Sequence, residues 1–364
     1  MKYNFKITTI DRYIIKKFIG TYLSALLIII GIVIIFDISE KIDNFVEHEA
    51  PLKAIIFDYY ANFIPYFINM FSPLFVFITV IFFTSKLAAN SEIIAILAGG
   101  VSFKRLMYPY FISAFVIAVF SLILNLFIIP PANAGRLVFE AQYINGQFRN
   151  TNRDIHYQIS PGTFMYVESF STWNNTAYKF TLESIEGHNL TSKLSAERAK
   201  WDSTKACWTL NNYHLREYIN NSESITTGKT LDTTISITVD DFYRKKESVQ
   251  SMDYFQLNEL IKTQELRGDA MVQHAEIEKH TRYAIPFSAF ILTLIGVSLA
   301  SKKRRGGIGI NIGIGIALSF SYILFLRFSQ MFVHTGAMPP FIALWVPNAL
   351  FAVISAILYR IAPK

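Results

Sequence analysis

Six apolar runs punctuate the chain, three before and three after a stretch in which the hydrophobic pattern changes character. Each run is long enough to cross a bilayer as a helix. The amino-terminal segment MKYNFKITTIDRYIIKKF is basic and aromatic and predicts an interfacial helix leading into a first span at about Phe18 to Phe36. A polar loop is expected from Asp37 to Lys53. The second span, about Ala54 to Thr84, is too long to stand upright, and Pro65 and Pro73 give it a cause to kink. The third runs from about Met107 and is expected to stop at Pro130-Pro131. After the insert, Phe255 to Leu266 reads as a helix and Asp269 to Tyr283 as a charged amphipathic helix that enters span four. That span ends near Ala300, span five covers about Ile308 to Phe332, and span six about Phe341 to Tyr359.

Between Ala132 and Gln250 no run crosses a bilayer, and apolar residues recur at every second position. TFMYVESF (Thr163 to Phe170), YKFTLESI (Tyr178 to Ile185), Cys207 to Tyr218 and Leu231 to Val239 predict strands rich in aromatic and β-branched residues. Asn-Asn, Pro-Gly and Glu-Gly-His-Asn between them are turn chemistry. The fold class expected is therefore an α-helical membrane protein with six transmembrane helices, three plus three, and an inserted all-β, jellyroll-like domain. The domain division expected is 1–130, 131–254 and 255–364.

The stretch SKLAANSEIIAILAGGVSFKRL, residues 85–106, lies between spans two and three and so surfaces on one side of the membrane. Asn90-Ser91-Glu92 reads as a helix start with an acid in the first turn. Ile93, Ile96 and Leu97 follow at helical spacing, and Gly99-Gly100 end the pattern. Two readings stand for this short amphipathic helix: a connector lying on headgroups, or a docking knob for a partner on that side.

Composition agrees with a membrane protein: 52% of the 364 residues are hydrophobic and 17% charged. The net charge of +7 is not a nucleic-acid footprint, because from Pro131 to Lys262 there are 14 Lys and Arg against 15 Asp and Glu. The excess flanks the spans. Lysine and arginine gather in the amino terminus, the 85–106 and 301–307 loops and the tail, whereas the two short loops opposite hold only Lys41 and Lys53. The positive-inside rule then puts both termini in the cytoplasm and the β insert outside. The first apolar run is too long for a signal peptide and no small-residue cleavage site follows it.

Catalytic signatures are sparse. The chain has no GxxxxGK[ST] sequence, one cysteine (Cys207) and no HExxH spacing among its histidines, so neither a nucleotide-binding loop nor a metal cage is expected. The glycines of GGIGINIGIGIALS lie inside span five and predict close helix packing. Charge inside a membrane is costly and marks function. Arg327, near the outer end of span five, has two readings: snorkelling to the interface, or lining a cavity for a phosphorylated lipid. Lys41 and Lys53, with Asp37 and Asp58 near them, stand at a similar level. The span centres offer no carboxylates, which argues against a proton- or sodium-driven carrier.

These stretches, in this order, resemble the LptF/LptG (YjgP/YjgQ) permeases of the lipopolysaccharide-export ABC transporter. Ile10-Asp11-Arg12-Tyr13-Ile14 is similar to the family's LDRYI, closer to the LptG branch, and SEIIAILAGGVS resembles its cytoplasmic helix. TFMYVESF and AERAKWDSTKACWTLNN resemble strands of its periplasmic β-jellyroll, and the regions around Pro286, Gly306 to Gly315 and Pro339 to Pro347 also fit. The resemblance implies a permease subunit that extracts lipopolysaccharide from the inner membrane and hands it to a periplasmic bridge. Its implied partners are a dimer of an LptB-type ATPase, a second LptF/LptG-type permease and an LptC-type periplasmic protein, with no cofactor. Ser91, Glu92, Ile93, Ile96 and Leu97 would then belong to the ATPase-coupling helix. Spans one and five would line the lateral gate, and the resemblance adds Lys41 to Arg327, read above from its own position, as candidates for lipid phosphate. The family carries several basic residues at the outer end of span one; here Lys41 stands beside Asp37, Glu40 and Asp43. The alternative is a membrane-anchored scaffold whose β domain binds a partner without transport. A lipid-modifying enzyme would need an acid–base or metal set that the sequence does not display.

Overall fold

The computed structural model describes residues 7–144, 153–219, 222–243, 246–269, 271–302 and 307–362. In chain order it contains α1 (Thr9–Glu47), α2 (Leu52–Ala89), α3 (Glu92–Ala98) and α4 (Phe103–Tyr143). Six strands follow: β1 (Arg153–Ser160), β2 (Thr163–Ser171), β3 (Thr176–Glu186), β4 (Asn189–Asp202), β5 (Cys207–Ile219) and β6 (Ser222–Thr233). The chain then forms α5 (Val239–Tyr243), α6 (Tyr254–Arg267), α7 (Met271–Ala300), α8 (Gly307–His334) and α9 (Pro340–Ile361). It divides into two compact units, Met1–Arg136 with Glu276–Lys364, and Leu137–Ala275. Among the described residues six helices (α1, α2, α4, α7, α8 and α9) are long and apolar enough to cross a membrane.

In the helical unit, α1 buries one narrow stripe. Ile14, Phe18, Tyr22 and Leu26 recur every fourth residue and pack with Val76, Val80 and Phe83 of α2 and Leu106, Met107 and Tyr110 of α4. A second cluster joins Phe77 and Ile81 of α2 to Ile291, Leu292 and Ile295 of α7, Tyr322 of α8 and Phe351 of α9. Within their most apolar windows α7 is 72% buried, but α1 only 17% and α8 28%. So α7 is a central helix, while α1 and α8 keep broad apolar faces whose solvent is lipid or another chain.

Two expected boundaries move. The Asp37 to Lys53 loop is helical as far as Glu47, because Ile38, Ile42 and Phe45 continue a helical period and Lys41 pairs with Asp37 one turn back. Nor does Pro130-Pro131 stop α4. A π turn at Leu124–Ile128 comes directly before it, and this wider turn absorbs the missing N–H bonds and the bulk of the rings. Residues Lys303 to Gly306 of the expected basic loop lie outside the described residues.

Polar side chains fasten the spans. Asn69 of α2 donates to Asn125 Oδ1 of α4 at 2.8 Å and accepts from Ser121 Oγ at 2.5 Å, all three being buried. Asn69→Ala is expected to cost on the order of 1–2 kcal/mol, since it strands the Asn125 amide in a dry site. Denaturation of the detergent-solubilised chain measures this, and an unchanged midpoint would show that the trio does not hold α2 to α4. Asn311 of α8 donates to Ser85 Oγ of α2 at 3.0 Å. Of the glycines in α8, Gly315 provides the close approach, since a Cβ there would collide with Ile81; Gly309 and Gly313 face open space.

The second unit is built on one antiparallel sheet in the order β1 to β6, each strand paired with its sequence neighbours, and also contains α5 and α6. The inserted β domain is as expected; its described strands form an up-and-down meander in sequence order. The strand expected from Leu231 to Val239 belongs to β6 only over Leu231–Thr233, since β6 begins at Ser222; beyond Thr233 the chain crosses the sheet face into α5. There Trp208 Nε1 donates to the Ile237 carbonyl at 2.8 Å, and Phe242 stacks on Phe170 at 4.3 Å. The β4–β5 turn is organised by Asp202. Its carboxylate accepts from the Thr204 hydroxyl and amide, which holds the acid below the ordinary carboxylate range.

Candidate functional site

The expected short helix is α3, and its two ends are built differently from each other. Ser91 takes the N-cap position in the left-handed region, φ 62°, and makes no side-chain cap. Asn90 instead donates to Glu92 Oε1 at 3.3 Å, and the Ser91 carbonyl accepts the Ala95 N–H at 2.9 Å. At the other end Gly99 N–H bonds the Ala95 carbonyl and Gly100 N–H the Leu97 carbonyl. Gly100 sits at φ 86°, a conformation that a side chain would strain.

Seven residues make two turns, so the faces are sharply divided. Ile93 is buried in the cluster with Ile14, Phe103 and Leu106, and Ile96 and Leu97 pack against it. Three of the expected coupling residues are thus the root of the helix. Glu92 is half-buried and its Oε2 accepts from Tyr13 Oη at 3.2 Å. The face turned outward carries Ile94, 50% exposed, with Ala95 and Ala98. The sequence reading missed Ile94 because in EIIAIL an isoleucine at either of two adjacent positions fits the helical period.

The start of α1 lies against this segment. Thr8 and Asp11 form a reciprocal cap: Asp11 accepts from the Thr8 N–H at 2.7 Å and the Thr8 hydroxyl at 2.9 Å. The same carboxylate receives both arms of the Arg105 guanidinium, at 2.7 and 2.5 Å. A cleft of about 170 Å³ lies between Ile10 and Ile14 of α1, Ile96 and Val101, and Leu106 and Pro109 of α4.

A second polar node forms where α1 ends and α2 begins. Lys41 Nζ lies 2.6 Å from Asp37 Oδ1 and also donates to Tyr59 Oη. Tyr60 Oη donates to Asp37 Oδ2 at 3.0 Å, and Tyr59 Oη to Oδ1 at 3.3 Å. Adjacent tyrosines reach one carboxylate because Ile55–Tyr60 is a π turn, with more residues per turn than an α-helix. The ammonium also lies 4.9 Å from the Tyr59 ring centroid. From Tyr59 an aromatic row continues along α2 through Phe63, Phe67 and Phe71, and Tyr66 beside it carries the Arg136 guanidinium at 5.3 Å. A span that ends at Pro131 puts Arg136 in the β insert; only the continuation of α4 brings it to α2.

Arg327 lies on the exposed face of α8, with Phe320, Leu324, Phe328 and Met331 also exposed. Its Nη1 donates to Gln330 Oε1 at 3.3 Å. Among the described residues no group of three or more His, Cys, Asp or Glu is placed to hold a metal ion.

No curated protein matches the sequence significantly. Residues 12–361 match the family model described as lipopolysaccharide export system permease LptF/LptG. With six apolar helices, an inserted β sheet and a match over nearly its whole length, the chain belongs to the LptF/LptG family of lipopolysaccharide export permeases, components of a transporter rather than catalytic enzymes.

Proposed function

We propose that the chain is one of two membrane-spanning subunits of an ATP-driven exporter that draws lipopolysaccharide from the inner membrane and passes it to a periplasmic bridge. The observation that carries this reading is α3, a helix rooted in the bundle by Ile93, Ile96 and Leu97 that offers Ile94, Ala95 and Ala98 outward. A rooted knob transmits force from a partner; a loose connector does not. The partner is an LptB-type ATPase dimer on the cytoplasmic side, where lysine and arginine concentrate. Both termini then face the cytoplasm and the β sheet the periplasm, with an LptC-type protein as its neighbour.

The sparsely buried α1 and α8 supply apolar faces to acyl chains and to a second LptF/LptG-type permease. Arg327, Lys41 and Arg136 are the cations for headgroup phosphates. Arg327 is exposed for this, whereas at Lys41 a phosphate must displace Asp37. Arg327→Glu should weaken lipopolysaccharide binding several-fold more than Arg327→Lys, in a filter or fluorescence titration. Equal losses would assign Arg327 to snorkelling.

The test of the whole reading is purification of the tagged full-length chain in mild detergent, with partners and lipid identified by mass spectrometry. A nucleotide-binding ATPase, a second six-span permease and lipopolysaccharide are expected. Recovery of the chain alone, where a known ABC complex survives, would favour the scaffold alternative.

A further inference from the structure

We infer that the start of α1 is a clamp that grips the α3 segment on both sides and carries its displacement directly into the first span. Asp11 and Tyr13, two residues apart, take hold of opposite ends of the loop. Asp11 binds Arg105, three residues into α4, and Tyr13 binds Glu92 at the start of α3. The inference rests on the transporter reading above, in which α3 is pushed by an ATPase.

Three observations separate a clamp from an ordinary surface contact. Arg105 occupies the first turn of α4, where the helix dipole disfavours a cation, so local helix stability does not account for it. That turn is already capped, by the Ser102 hydroxyl accepting the Arg105 N–H. Asp11 is 2% exposed, and its oxygens are filled by Thr8 and by a two-armed guanidinium, the pairing that fixes orientation as well as distance. Immediately along α1, Ile14, Phe18 and Tyr22 are buried in the same cluster as Ile93 and Leu106. Close-packed side chains leave no slack to absorb a shift. Movement of α3 relative to the bundle therefore has to move α1, whose remaining faces are largely open to lipid or a partner.

The test uses the full exporter, with this chain, its ATPase and the second permease, reconstituted in proteoliposomes with lipopolysaccharide. Lipid released per ATP hydrolysed is the readout. Asp11→Asn and Arg105→Gln should each lower that ratio about tenfold while ATP hydrolysis stays within about twofold of the native complex. Arg105→Lys should fall between, since it keeps the charge without the fork, and Tyr13→Phe should lower the ratio two- to threefold. The double variant Asp11→Asn with Arg105→Gln should lose no more than the worse single variant, because both changes remove the same pairing, whereas two unrelated destabilising changes would compound. A native ratio in Arg105→Gln and Tyr13→Phe, or losses that compound to about a hundredfold in the double variant, overturns the clamp. Should the native complex hydrolyse ATP without releasing lipid, the transporter reading falls instead.

Discussion

Ile94→Asp is expected to lower recovery of the ATPase about 30-fold and abolish export, with the thermal midpoint of the isolated chain nearly unchanged. Ile94 is 50% exposed. Covering it and desolvating a carboxylate in its place differ by about 2 kcal/mol, which is the quoted factor. The neighbouring substitution, Ile93→Asp, is the control. Ile93 is 1% exposed within the α1–α2–α4 cluster, so a carboxylate there lowers the midpoint itself. Ile96→Asp, which helical spacing alone marks as a docking-face change, should behave more like Ile93 because it packs inward. Midpoints measured by scanning fluorimetry, beside quantitative pull-down, separate the two faces. Equal loss of stability in Ile93→Asp and Ile94→Asp would show that α3 has no outward docking face.

Asp37→Asn should destabilise the chain by about 2 kcal/mol and at the same time increase the stabilisation that lipopolysaccharide confers. The Asp37 and Lys41 side chains are 11% and 20% exposed. Removing one charge leaves the other poorly solvated, a loss below the roughly 3–5 kcal/mol of a fully buried pair. The double variant Asp37→Asn with Lys41→Met should recover most of the loss, because it removes the stranded ammonium. The lipid effect has the same origin: with Asp37 neutral, a headgroup phosphate no longer competes with a carboxylate for Lys41. Midpoints with and without lipopolysaccharide give both quantities. A lipid-induced shift that is the same in Asp37→Asn and the native chain would remove Lys41 from the phosphate site.

Both expectations depend on details that the linear pattern carries only in part. Ser91 to Gly100 announce a short helix by polar start, period and glycine stop, but the period cannot say which side of it meets the bundle. That is decided by Tyr13 and Ile14 of α1 and Leu106 of α4, residues distant in sequence whose packing buries Ile93 and leaves Ile94 outside. Asp37 and Lys41 stand in a stretch expected as a polar loop, and they pair one turn apart only because α1 continues through it. Tyr59 and Tyr60 join that pair only because a π turn rotates both toward α1. No residue in IIFDYY signals that turn.

Pro130-Pro131 has the same lesson for boundaries. Proline stops a helix when its missing N–H and its ring meet regular α geometry, and a π turn next to it removes that conflict. Arg136 thereby comes to lie on α2 rather than in the insert. In the β unit, alternation marked β2, β3 and β5 well. It missed the polar, mostly exposed start of β6 from Ser222 and ran past its end, because Ile235 and Ile237 alternate as a strand does but pack across the sheet face instead.

By itself, then, the sequence determined the six spans, the inserted sheet, the exposed helix between spans two and three and, through the order of its motifs, the family. These follow from local composition and period, which the bilayer and the backbone impose residue by residue. Only the tertiary structure decided which face of α3 is free, that Asp11 reaches Arg105, and that Lys41 is held by Asp37 between two tyrosines. Each of those joins residues from different helices, and their meeting is set by how the bundle packs rather than by any one helix alone.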